Sequence, residues 1–313
     1  MTINPSQGVE PADTRIGYAH SYITSCLFPQ RAVPGLAAYA IPQGKGEWAV
    51  LQAVWNPDRK AYDLPHGKTP RLFMMWAAKQ IRKAGSRHTD TCDPEHHELL
   101  IPSLGWLARS MGLSQGRKAY DSLQECLNGL ADCALMLHRT TPTVTQREWH
   151  PLFTRSTIQR NGASGYHDAI IQLDDGVWDS LAASTMPVDN QAARLLLEGR
   201  NTMAYDIYVW LADLAWSAYR NPRLRIQKWS WERLKQRFGQ QSGAMSGFRR
   251  TFRRALDTVM PALSGVASVE DGKDYVLVRC LGALAVNPGG GFAYKLTRDP
   301  QTGSIIKQLN VGG

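Results

Sequence analysis

LKQRFGQQSGAMSGFRRTFRRAL, Leu234 to Leu256, sets a short amphipathic segment, a glycine-bearing turn and a longer arginine-dense segment in immediate succession. On a 3.6-residue period Phe248, Phe252, Ala255, Leu256 and Val259 share one stripe. Arg250, Arg253 and Arg254 then point away from that stripe, and Arg249 flanks it. A helix that buries its phenylalanines and displays guanidiniums offers a surface to an anion.

The turn recurs. LARSMGLSQG, Leu107 to Gly116, matches LKQRFGQQSG, Leu234 to Gly243, as L-x-x-x-[MF]-G-x-x-x-G without a gap. The glycine permits left-handed backbone between two helices. A tryptophan-bearing helix lies ahead of each frame (Trp76, Trp210), and a longer helix and strands follow each. Helix, turn, second helix and β-hairpin make a helix-turn-helix with a wing. The expected fold class is therefore α+β, mainly helical, with tandem duplicated winged-helix domains.

Outward from these frames, GEWAVLQAVW (Gly46–Trp55) reads as a strand, and helices are expected over 71–83, 103–111 and 116–130. A strand follows at Cys133–Arg139, and 149–159 pairs with 166–173 around NGASG; LDDGVWDSLAAS is a short helix. The second half opens on Asn201 as an N-cap, runs helical to Tyr219, and passes through a strand at Arg225–Trp229 to Ser230, which caps WERLKQRF. The arginine helix spans 244–259, and 266–270 pairs with 275–280 across DGKD. The expected domains are an N-terminal arm over 1–45, partly flexible with a short ordered piece at Tyr39–Ile41, winged-helix domains over 46–186 and 187–286, and a flexible tail over 287–313 containing Gly289-Gly290-Gly291.

The chain carries a net charge of +9 over 313 residues, and the charge is concentrated. Between Ser217 and Met260 stand eleven Lys or Arg against Glu232 and Asp257, which equals the surplus of the whole chain. That is the footprint expected of a nucleic-acid surface, with a solvated basic face as the alternative. With 43% apolar residues and ten tryptophans, two buried cores are expected. Five scattered cysteines without a C-x-x-C pair fit a reducing compartment, hence the cytoplasm. A polar, acidic start and the absence of any 18-residue apolar run speak against secretion and membrane spanning.

In a winged helix the second helix enters the major groove. Ser246, Arg250 and Arg253 are then expected to face the groove, and Arg249 and Arg254 to reach flanking phosphates; for Arg253 and Arg254 the alternative is surface pairing with Asp257, at i+4 and i+3. Lys228, Arg233, Lys235 and Arg237, on or before the preceding helix, are expected to position the protein on the backbone. Gln240 and Gln241 sit in the turn, within reach of a phosphate or an adenine edge, with a solvated turn as the alternative. The first half offers only Arg117 and Lys118 before Asp121 and Glu125, a poorer surface for DNA.

Other motifs fail. His88, Cys92, His96 and His97 have ligand chemistry but no standard zinc spacing. HGKT, His66–Thr69, imitates a phosphate loop, yet Tyr62 stands where glycine is required. No cofactor, no metal and no catalytic constellation is expected.

Four segments, DLPHGKTPRLFMMWAAKQIRK, AYDIYVWLADLAW, WSWERLKQRFG and FRRTFRRALDTVMPAL, resemble the plasmid-encoded RepA replication initiator family in order and spacing, over about 37–278. The resemblance implies an initiator that binds direct repeats (iterons), helps to open the plasmid origin, and recruits the host helicase and initiator. It further implies two winged-helix domains, the C-terminal one dominating iteron contact and the N-terminal one contributing to dimerisation, with monomers active and dimers limiting copy number. Arg249, Arg250, Arg253 and Arg254 lie in the matching helix, and Lys68 and Arg71 in the matching turn. The alternative is a sequence-specific transcriptional repressor without initiator activity. A nicking enzyme would need a nucleophilic tyrosine beside a His-rich metal site, which the resemblance does not place.

Overall fold

The computed structural model describes residues 16–20, 23–25, 27–44, 46–57, 60–114, 116–158, 169–198, 202–239, 243–282, 284, 294–301 and 304–309. Those residues form an α+β protein of eight α-helices and several small sheets, divided into two compact units. One comprises Leu27–Thr185; the other joins Arg15–Cys26 to Met186–Gly313.

In chain order, β1 (Ile16–Ala19) belongs to the second unit. The first unit contains β2 (Ala38–Gly44), β3 (Glu47–Ala53), α1 (Lys68–Ala84), β4 (Cys92–Asp93), β5 (Glu98–Ile101), α2 (Leu104–Ser110), α3 (Arg117–Ala131), β6 (Cys133–Thr140), β7 (Thr145–Pro151), β8 (Phe153–Ile158), β9 (Ala169–Leu173) and α4 (Asp175–Ala183). The second unit continues with β10 (Met186–Asp189), α5 (Asn190–Leu197), α6 (Met203–Arg220), β11 (Ile226–Ser230), α7 (Trp231–Phe238), α8 (Met245–Val259), β12 (Ala267–Asp271), β13 (Tyr275–Cys280), β14 (Tyr294–Arg298) and β15 (Ile305–Leu309).

Within each unit the same order appears: helix, strand, helix, helix, strand, strand. It is α1, β5, α2, α3, β8, β9 in the first and α6, β11, α7, α8, β12, β13 in the second. In both, the last strand lies between the other two, β5-β9-β8 and β11-β13-β12, all pairs antiparallel. The first unit adds β4 beyond β5 and a separate sheet β2-β3-β6-β7. Its 149–159 segment does not run as one strand. Leu152, fully buried and bonded through its N–H to the Cys133 carbonyl, breaks it, so β7 pairs with β6 while β8 pairs with β9. The NGASG turn and the Asn201 cap lie outside the described residues.

Two expected flexible ends carry ordered elements. β1 pairs antiparallel with β10, from Ile16 opposite Asp189 to Ala19 opposite Met186. Ile23 is fully buried, and the Tyr205 hydroxyl donates to the Thr24 carbonyl at 2.9 Å. β14 and β15 form a hairpin where a loose tail was expected; Leu296 and Ile305 are buried in it. It is tied down by Arg298 Nη2 donating to the Leu195 carbonyl at 2.8 Å and Lys307 Nζ donating to the Ser264 carbonyl at 2.9 Å.

The glycine frame is only half conformational. Gly112 adopts φ 71°, as a left-handed turn requires. Its counterpart Gly239 sits at φ −122°, open to any residue, and is glycine because a Cβ there would strike the Phe248 ring. Gly239→Ala is expected to cost about 1–3 kcal/mol through overpacking, read as a lowered urea midpoint.

His20 is 4% exposed; burial first, and Arg237 second, drop its pKa from 6.5 to about 4. The unfolded chain takes up that proton near pH 6.5, and the folded unit does so only near pH 4. Stability should therefore fall as pH drops through this window, by up to about 1.4 kcal/mol per pH unit. Comparing unfolding midpoints of wild type and His20→Gln from pH 7 to 4 checks it: the variant should show the shallower decline.

Candidate nucleic-acid interface

The candidate interface starts from an aromatic core in the second unit. Trp210 meets Trp229 at 5.2 Å, Phe238 at 5.4 Å and Phe252 at 6.4 Å between ring centroids. Trp231 meets Phe252 at 5.7 Å and Phe248 at 6.3 Å, mostly edge to face. Phe248, Phe252, Ala255, Leu256 and Val259 are the buried residues of α8, as the 3.6-residue stripe requires. Ser230 accepts from the Arg233 N–H at 3.3 Å and caps α7.

With α8 fixed in rotation, its arginines sort into two pairs. Arg250 and Arg254 are exposed, and no carboxylate among the described residues lies within ion-pairing distance of either. Arg249 is half-buried, its guanidinium 5.0 Å from the Trp231 ring centroid, and its Nε has no hydrogen-bond partner among the described residues. Arg253 lies 5.5 Å from the same ring and pairs through Nε with the Asp271 carboxylate, not with Asp257 on its own helix. The pairing holds the Arg253 pKa above its ordinary value, the hydrogen bond to Asp271 being the main cause. Ser246 is exposed at the start of the helix.

The residues ahead of α8 are placed differently from one another. Lys228 is exposed on β11, its Nζ 5.0 Å from the Tyr275 ring, and Arg233 is exposed on α7, 4.7 Å from the Trp229 ring. Such stacking limits the reach of a long cation and so lowers the entropy lost when it meets an anion. Lys235 Nζ donates to the Gly243 carbonyl at 2.6 Å and so ties α7 to the chain just ahead of α8. Arg237 corrects the expectation: it is 5% exposed and faces inward, where its charge acts on His20 and Asp213. Burial raises the Asp213 carboxyl pKa and Arg237 opposes that rise. Gln240 and Gln241 lie outside the described residues.

In the first unit Lys68, Arg117 and Lys118 are exposed, Arg117 beside Asp121 at 3.9 Å. Arg71 corrects a second expectation. It is fully buried; Nη1 donates to the Gly67 carbonyl at 2.6 Å and Nη2 to the Phe28 carbonyl at 2.8 Å, so it staples the chain around residue 28 to the start of α1. In the histidine loop His88 and His96 both approach the Asp93 carboxylate, His88 at 4.0 Å, while Cys92 and His97 are placed elsewhere. Cys92 is buried, its pKa raised to about 12 mainly by burial, while His96 turns to Asp93 at 3.0 Å and His97 to Asp175 at 2.9 Å.

Sequence reading passed over Trp231 as a platform and Asp271 as a partner of Arg253. Alternation in WSW around the cap and the acids of DGKD were the available signals.

Arg71→Met removes the donor to the carbonyls of Phe28, Pro29 and Gly67, the first two in buried bonds, and should destabilise the first unit by about 1–3 kcal/mol. Lys68→Ala should leave its thermal midpoint unchanged; thermal unfolding of both variants is the check.

No protein-family model matches the chain, and no curated protein sequence matches it. Among solved structures it is similar to domains 2 and 3 of RctB. One crystal structure, of a selenomethionine derivative, gives a TM-score of 0.48 at 11% identity over 87% of this chain and 99% of that chain. A second, of RctB domains 2-3, gives 0.42 at 10% identity over 83% and 96%.

Proposed function

We propose that the chain is a sequence-specific double-stranded DNA-binding protein that initiates plasmid replication, each unit built as a winged helix with α8 as the reading helix of the second. The observation that carries the DNA reading is the rotation of α8: an aromatic core holds one face while Arg250 and Arg254 stand exposed with no carboxylate among the described residues within ion-pairing distance. Arginines at i and i+4 repel each other by a few tenths of a kcal/mol, a cost a polyanion would offset. The shared strand order 1-3-2 and the helix pairs α2–α3 and α7–α8 support the winged-helix reading of both units. The initiator role rests on the resemblance of the four quoted segments to the RepA family, and the direct repeats, the dimer and the host partners belong to that same reading.

In this scheme Arg250 reads a base edge in the major groove, Arg254 and Arg233 hold phosphates, and Lys228 contacts backbone beside the sheet. Bidentate arginine on guanine contributes about 1–3 kcal/mol of discrimination.

Footprinting on the DNA flanking the reading frame tests the role. Protection of tandem direct repeats with permanganate-reactive A·T-rich DNA beside them is expected; an inverted repeat without melting would make the protein a repressor. Arg250→Ala should weaken binding to the protected duplex about tenfold or more while changing affinity for random duplex far less. Its salt dependence should still follow a log–log slope near −0.9 per phosphate neutralised.

A further inference from the structure

We propose that Asp271, at the tip of the β12–β13 wing, is a specificity-determining residue: it occupies Arg253 as an internal substitute for phosphate and keeps the reading face from gripping arbitrary DNA. The proposal rests on the DNA-binding reading above. Its first support is placement. The Trp231 indole N–H donates to the Gly272 carbonyl at 3.1 Å, and the Gly272 N–H donates to the Tyr275 carbonyl at 2.9 Å. A Cβ on Gly272 would lie 2.8 Å from that same carbonyl, so the turn is closed to larger residues. Trp231 is itself fully buried. The wing tip is thus anchored to the core that orients α8, and Asp271 is delivered beside it.

The second support is selectivity of pairing. Glu270, the neighbouring acid, is taken up by Arg279 at 3.0 Å. Asp271 reaches Arg253, whose ring contact with Trp231 holds the guanidinium in place. Arg250 and Arg254, the other two exposed arginines of α8, have no acid within ion-pairing distance among the described residues. One guanidinium of the exposed three is therefore neutralised by the protein itself.

The consequence follows from charge. A phosphate that recruits Arg253 must break the Asp271 pair and then lie beside a released carboxylate. That disfavours generic backbone contact and leaves Arg250 to discriminate, a repulsive element of the kind that separates partners more than it strengthens either.

The test compares wild type, Asp271→Asn, Asp271→Glu and Asp271→Asn in an Arg253→Gln background. Each is titrated at several salt concentrations with random duplex and with a duplex selected by the wild-type protein from a randomised pool. Asp271→Asn should bind random duplex about three- to tenfold more tightly at 0.1 M salt, steepen the slope by about 0.9, and lower the ratio of selected to random affinity. Asp271→Glu should keep the wild-type ratio. Without Arg253 the steepening should vanish. An unchanged slope, an unchanged ratio, or the same steepening without Arg253 would overturn the proposal while leaving DNA binding intact. A wild-type protein that binds no duplex would remove the underlying reading, and this inference with it.

Discussion

The packing of Phe248 and Phe252 against Trp231 and Trp210 is the constraint on which the second unit turns. Phe252 touches both tryptophans and Phe248, and Phe248 touches Trp231, so these rings define one face of α8 and fix its rotation. Displacing a buried phenylalanine would expose an area worth about 1.5–3 kcal/mol, well above the few tenths that separate one arrangement of surface arginines from another. The core therefore decides where the charges stand. Trp231 acts twice, supporting the helix from below and presenting a ring against which Arg249 and Arg253 rest.

The concentration of charge then acquires a shape. Cations laid on Trp229, Trp231 and Tyr275 surrender part of their freedom before any partner arrives. The first unit repeats the order of elements without repeating this device: α3 mixes Arg117 and Lys118 with Asp121 and Glu125 along one helix. The two halves thus share a topology and diverge in surface chemistry.

Local periodicity carried most of what the sequence disclosed. The α8 stripe was legible because apolar residues at helical spacing leave a single solution, and the DGKD hairpin because its turn residues stand between alternating strands. The inward turn of Arg237 was legible in principle: Trp231, Leu234, Arg237 and Phe238 share one helical face, and the positive charge masked that phase. Arg71 was less accessible, since α1 is buried around nearly its whole circumference and its carbonyl partner on Phe28 lies far back in the chain. Pairing of β1 with β10 has no local signature at all. The β14–β15 hairpin shows weak alternation that the preceding run of glycines overshadowed.

That remote pairing bears on how the protein comes into being. During synthesis residues 16–25 leave the ribosome early, but Thr24 waits for Tyr205, which lies 181 positions later. The entire first unit has time to form in the interval, so the opening segment must stay unattached while its neighbours fold. A fragment beginning at Met186 would lack the strand that completes β10, and a chain in which 16–25 is joined just ahead of Met186 would convert the long-range step into a short hairpin-like closure.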